Sequence, residues 1–354
     1  MASLPGIMML LATLLTVRWR SRYTTSVSAQ VWPSLGSRLM FVLPVLTPVF
    51  PRSWQPIWLI VSMTLVALPR GIADSITLSL MRESVLPQAI TALLSRRQMA
   101  LNLSIAIGSA GFGFWLEEVR FPVNYQIMFG GAFALSLVSF WHLNQTRPIV
   151  ASTAEKQITS LRQPWQDARF RGVALMSAVV FLAFLSIVPM IPLRLVNELG
   201  ASEGFVAIYG LFELAGGTVG AALTVRIVRH IGNRVMLGIA MIGTAVGVLI
   251  MALTSTLPVT LIAAVVMGAT WTIADIGQFS LFSESVPLQN STSYTTAYLQ
   301  LVSICAFVGP MIGSLMTSAG VDLALVLMIG ALLRLLAGLL TLKGNFVENR
   351  PHPT

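Results

Sequence analysis

The sequence predicts an all-α, polytopic membrane protein of about eleven transmembrane helices in two parallel helical-bundle halves, five helices followed by six. Three observations carry that prediction. Of 354 residues, 55% are hydrophobic and 10% charged, whereas soluble domains carry charge on about a quarter of their residues. Apolar runs of about 20 residues, enough to cross roughly 30 Å of hydrocarbon, recur from end to end. A segment starting at Ile72 also recurs, in the same direction, from Ile273.

Spanning runs fall at about 4–17, 36–51, 57–81, 98–116 and 125–143, then at about 172–193, 204–226, 235–254, 258–282, 293–318 and 321–342. This divides the chain into an N-terminal transmembrane half (1–143), a linker (144–171), a C-terminal half (172–343) and a tail (344–354). The linker carries Arg147, Lys156, Arg162, Arg169 and Arg171 against Glu155 and Asp167. Basic loops are retained in the cytoplasm. Of 22 Lys and Arg residues, 17 fall on one alternating set of ends and loops, the linker and C-terminus included. That set is predicted to be cytoplasmic in a cell (inner) membrane, with Met1 outside. The first run does not read as a secretory signal, because nothing basic precedes Arg18 and a basic cluster follows it.

A net charge of +9 without an aqueous domain to display it argues against a nucleic-acid partner. Cys305 is the one cysteine, so neither an intrachain disulfide nor a thiolate metal site is expected. His142, His230 and His352 make no ligand motif, and no metal or cofactor is implied. The chain has no GxxxxGK phosphate loop, HExxH pair or nucleophile triad, so neither ATP-driven transport nor an enzyme is expected.

The repeat is specific. Over residues 72–88, nine of seventeen positions match the residues 201 further on, without a gap, including Ile72-Ala73-Asp74, Ser79-Leu80, Glu83-Ser84-Val85 and Gln88. Leu15-Thr16-Val17-Arg18 matches Leu223-Thr224-Val225-Arg226, and Met128-Phe129-Gly130 echoes Met328-Ile329-Gly330. Each half therefore looks like a copy of one unit. A whole helix precedes Leu223 in the second half, whereas the first half has no room for its counterpart before Leu15. The repeat thus predicts six helices plus six, with the first one missing.

Two parallel halves joined by a basic loop resemble the major facilitator superfamily. Arg229-His230-Ile231-Gly232-Asn233-Arg234 resembles the latter part of that family's loop motif, with Arg229 in place of its aspartate and Val225 in place of its first glycine. The other copy, Arg18-Trp19-Arg20-Ser21-Arg22, keeps only the charge. The resemblance implies a cavity lined by the first, second, fourth and fifth helices of each half, alternating access, and cytoplasmic gate loops carrying Arg18, Arg22, Arg226, Arg229 and Arg234.

Charge inside hydrocarbon is costly, so intramembrane ionisable residues are candidates. Asp74 and Asp275 are equivalent in the repeat, which favours a structural or gate-latching role over proton or substrate binding. Glu83 and Glu284, also equivalent, read as helix-end residues. Arg70, Glu213 and Arg334 break the symmetry. Arg70 stands one turn before Asp74 and is either a substrate or coupling residue or simply its partner. Glu213, directly before Ala215-Gly216-Gly217, is the first choice for a coupling residue. Arg334 lies on a helix that the family places outside, which predicts a snorkelling residue. Asn102, Trp271, Gln278, Tyr294 and Gln300 are candidate cavity groups. Gly108, Gly111 and Gly113 match Gly309, Pro310 and Gly313 as two closely packed gate seams.

The expected function is secondary active transport of a small organic solute by alternating access, with proton-coupled efflux as one form of it. The alternative is a truncated, non-transporting remnant or membrane scaffold. The expected partners are the lipid bilayer, the solute and protons.

Overall fold

The computed structural model describes residues 4–23, 25–86, 89–120, 122–146, 162–287 and 291–343. Gln88, Arg147, Glu155, Lys156, Arg350 and His352 lie outside the described residues, as does the side chain of Glu83. Among the described residues every regular element is helical. Before the linker run α1 (Leu4–Arg20), α2 (Ser26–Leu39) continuing as the 3-10 segment Met40–Val49, α3 (Gln55–Leu65), α4 (Ala67–Ser84), α5 (Ile90–Glu118) and α6 (Val123–Asn144). One turn, α7 (Gln163–Gln166), leads into α8 (Ala168–Leu185), α9 (Met190–Asn197), α10 (Glu203–Leu253), α11 (Leu257–Ser285), α12 (Ser291–Ser318) and α13 (Leu323–Lys343).

Among the described residues seven stretches, from Gln55–Met81 to Leu323–Lys343, are long and apolar enough to span a membrane. One of them, α10, is two crossings in 51 residues, bent at Gly232, where φ is 73°. A Cβ disfavours that conformation. Val49, Ile107, Leu135 and Leu253 expose 67–78% of their surface, which only a lipid solvent accommodates in such numbers.

The helix limits differ from the hydropathy reading where a polar face is buried. The second run begins at Ser26 rather than near residue 36, capped by Thr25, whose hydroxyl accepts from the Ser28 amide at 3.2 Å. Its buried positions include Ser26, Gln30, Ser34 and Ser37, which raise no hydropathy signal. Likewise α5 begins at Ile90 rather than near residue 98, with Ser95 donating to the Ala221 carbonyl at 2.5 Å. Two of the predicted rods are broken. The run 57–81 divides at Val66, and the run 172–193 turns between Leu185 and Met190.

The chain forms two contact units. The first contains Met1–Leu86, Gly108–Trp165 and Pro287–Ile304, and the second contains Pro87–Ile107, Gln166–Val286 and Cys305–Thr354. Each thus holds a segment of the other half's sequence. In the first unit α4 packs on α1 and α2 around Ala12, Ala29, Ile72 and Ile76. A Cβ on Gly71 would come within 2.7 Å of Ala12 Cβ. Trp19 donates to the Ala29 carbonyl at 2.8 Å, and Gln30 bonds Thr77. In the second unit α10 and α11 cross through Gly216, Gly220 and Gly268, where any Cβ would run into the facing backbone. Its apolar core gathers Ile187, Leu195, Val248, Met251, Ala263 and Leu327.

The repeat is visible in the contacts. Thr16 and Thr224, both fully buried, each bond the carbonyl four residues earlier. In the first unit Ser79 Oγ lies 3.3 Å from Thr292 Oγ1, and in the second Ser280 Oγ lies 3.0 Å from Thr91 Oγ1. Both members of the second pair follow from the first through the same offset of 201.

The α10–α11 crossing generates a test. Gly220→Leu is expected to cost about 1–3 kcal/mol through overpacking, read as a lower thermal midpoint in detergent. Gly210→Leu, where a Cβ meets nothing within 4 Å, is expected to stay within about 0.5 kcal/mol of the unsubstituted protein.

Candidate functional site

The second unit holds the densest group of candidates, and it forms around the break between α8 and α9. Pro189 has no amide hydrogen, and the chain turns over residues 186–189 before α9 begins. Carbonyls of the last turn of α8 are thereby freed and need donors. Arg334 from α13 supplies them, with Nη2 2.8 Å from the Phe184 carbonyl and Nε 3.5 Å from that of Ala183. The Arg334 guanidinium also lies 4.4 Å from the centre of the Phe184 ring. That ring stacks on Trp271 of α11 at 3.3 Å and 11°, and Phe181 meets Trp271 edge-on.

Arg334 is fully buried, and its Nη1 has no hydrogen-bond partner among the described residues. This corrects the snorkelling expectation. The side chain turns inward because the break in α8 offers carbonyl oxygens and aromatic faces that lipid does not.

Tyr209 and Glu213 project one turn apart from α10. Tyr209 is 5% exposed and its hydroxyl has no partner among the described residues. Glu213 is half-buried, its backbone tight against Gly268, and it makes no hydrogen bond or ion pair among the described residues. Arg334 is the cation within electrostatic range of both. Two of the three asymmetric charges in the sequence thus share one neighbourhood. Tyr209 and Phe184 were missed by sequence reading. The spacing of four to Glu213 was the signal available for Tyr209, and nothing marked Phe184.

The remaining candidates are dispersed. Arg70 Nε lies 3.6 Å from Asp74 Oδ2 within α4, with side chains 64% and 46% exposed. Asp275 has Arg97 of α5 as its cationic neighbour. Asn102 is buried against Gly217 and accepts from Gln98 at 3.2 Å. Gln278 is 1% exposed, and both its amide atoms are without a partner among the described residues. In the first unit, Tyr294 is buried and Gln300 half-buried.

Among the loop arginines, Arg18, Arg22, Arg226 and Arg229 are all exposed. Arg234 donates to the Thr341 and Leu342 carbonyls at 2.9 and 2.7 Å, closing the end of α13. Glu284 accepts from Asn233 at 2.6 Å. The two glycine seams differ from expectation. Gly309 and Gly313 pack against Leu185 and Ser186 of α8, but Gly111 faces open space and Gly108 meets only Phe112 of its own helix. Among the described residues, no group of three or more His, Cys, Asp or Glu residues is placed to hold a metal ion.

The helical pattern defines a polytopic membrane protein, and a family model identifies which kind. The Major Facilitator Superfamily model matches residues 1–310, and the chain belongs to that family. No curated protein sequence matches it. Among solved structures, a bacterial homologue of the iron transporter ferroportin in an outward-facing state is similar at TM-score 0.72 and 18% identity, covering 96% of this chain and 89% of that one. The human organic anion transporter MFSD10 (TETRAN) is similar at TM-score 0.78 and 12% identity, covering 96% and 83%. The E. coli fucose:proton symporter FucP is similar at TM-score 0.64 and 14% identity, covering 96% and 97%. At these identities the likeness is one of fold.

Intramembrane charges face water or protein rather than lipid, which gives a test for Arg70. In a Cys305→Ser background, Arg70→Cys is expected to react with a charged methanethiosulfonate at least about tenfold faster than Leu135→Cys, because the reactive thiolate forms only in water. The two positions are comparably exposed, so equal rates would place Arg70 in lipid.

Proposed function

We propose that this chain is a secondary active transporter that moves a small organic solute by alternating access, with proton coupling through Glu213. Family membership supports transport in general. The observation that carries the finer reading is Glu213 itself, a carboxylate inside the membrane with no bonded partner among the described residues and a buried cation in range. A carboxyl group in such surroundings exchanges a proton as its neighbourhood changes. The similar fold of a fucose:proton symporter and of an organic anion transporter is in keeping with an organic solute. We place the linker and C-terminus in the cytoplasm of the inner membrane, on the distribution of basic residues. Asp74 and Asp275 then sit near cytoplasmic helix ends, where pairing with Arg70 and Arg97 suits a gate.

The test uses proteoliposomes with an imposed pH gradient and a probe panel of L-fucose, D-xylose, a dicarboxylate and ethidium. At least one probe is expected to move faster with the gradient than without it, and Glu213→Gln is expected to remove about 90% or more of the gradient-driven component. Gradient-driven transport that survives Glu213→Gln would remove Glu213 from the mechanism, and absence of transport of every probe would count against the transport reading.

A further inference from the structure

The α8–α9 break and the Glu213 carboxylate are served by one side chain. Arg334 is fully buried, donates to two carbonyls of the break, covers the Phe184 ring, and keeps Nη1 without a partner. A guanidinium is a rigid planar fork, and Glu213 makes no ion pair with Arg334 among the described residues, so to meet that carboxylate the whole fork must move and take Nη2 and Nε from the carbonyls of the break. A carboxylate adds charge–charge attraction and bidentate geometry to what a neutral carbonyl offers an arginine. A charged Glu213 therefore competes with the Phe184 carbonyl for Arg334, and a neutral Glu213 does not.

The surroundings make that competition local. The titratable groups facing Glu213 are Tyr209 from its own helix and Arg334 from α13, whereas α8 and α11 contribute the aromatic side chains Phe181, Phe184 and Trp271. Arg194 and Glu198 pair with each other at the C-terminal end of α10, whose Met251 shares an apolar cluster with Tyr209, and Arg194 is already committed to the carbonyls of that end. The break itself is held closely by glycines, with Gly309 against Leu185, Gly313 against Ser186, and Gly330 against Ile187. A change in the hold on Phe184 is therefore felt at residues 185–190 before it is felt elsewhere.

We infer that Arg334 is the positioning residue through which the charge on Glu213 sets how firmly the α8–α9 break is held. The inference rests on the reading of Glu213 as the coupling group. It adds the mechanical link, in which a neutral Glu213 leaves Arg334 on the Phe184 carbonyl and a charged one draws it away, loosening the bend in α8.

Hydrogen exchange of the full chain in lipid nanodiscs, followed by mass spectrometry on peptides covering residues 183–193 at one alkaline pH, tests the link without any solute. Glu213→Gln, which fixes the neutral state, is expected to slow exchange of the Ser186, Ile187, Val188 and Met190 amides by about threefold or more. Arg334→Gln is expected to speed it, Arg334→Lys to restore part of the protection, and Glu213→Gln to add nothing in the Arg334→Gln background. If Arg334→Gln aggregates, Arg334→Lys takes its place in the cycle, where the effect of Glu213→Gln must shrink. Unchanged exchange in Glu213→Gln overturns the proposal, as does an effect of full size without Arg334. Because no solute is present, a transport assay that fails leaves this result standing. Transport that depends on Glu213, combined with unchanged exchange, removes only the link.

Discussion

Hydrocarbon offers no hydrogen-bond donors, so wherever a membrane helix ends or bends, the carbonyls released must be met from within the protein. Among the described residues arginine meets that need at several helix ends or breaks. Arg234 donates to the carbonyls of Thr341 and Leu342 at the end of α13. Arg194 donates to Met251, Ala252 and Thr254 at the end of α10, besides its pairing with Glu198. Arg334 does the same at the break in α8. A long, forked, permanently charged donor suits such ends, because it reaches two carbonyls at once and favours the negative end of the helix dipole. Part of the basic excess in the sequence is thus structural.

This constraint explains what was and was not legible beforehand. Long apolar rods, the repeat around Ile72 and Ile273, and the close-packing role of Gly216 followed from patterns that lipid and helix geometry impose directly. The early starts of α2 and α5 did not, since Gln30, Ser34 and Ser95 are buried by tertiary contacts and read locally as polar loop. Arg334 was misplaced for a related reason. Its environment is created by a helix break about 150 residues away in sequence, and no local window contains both. Arg70 and Asp74, four residues apart, were legible as a pair because one helix brings them together.

The candidate site follows from asymmetry laid over a symmetric frame. Symmetric positions such as Thr16 and Thr224 do the same packing work in each half. Glu213, Tyr209 and Arg334 have no counterparts in the first half and gather in the second unit, beside the stacked rings of Phe184 and Trp271. That arginine is held by carbonyl oxygens and a ring face rather than by a bonded carboxylate.

The hydroxyl pairs carry a further meaning. Ser79 bonds Thr292 and Ser280 bonds Thr91, which in terms of the repeated unit is one serine meeting one threonine, made twice in opposite senses. Residue i touching j while j touches i is the signature of an isologous two-fold contact between identical subunits.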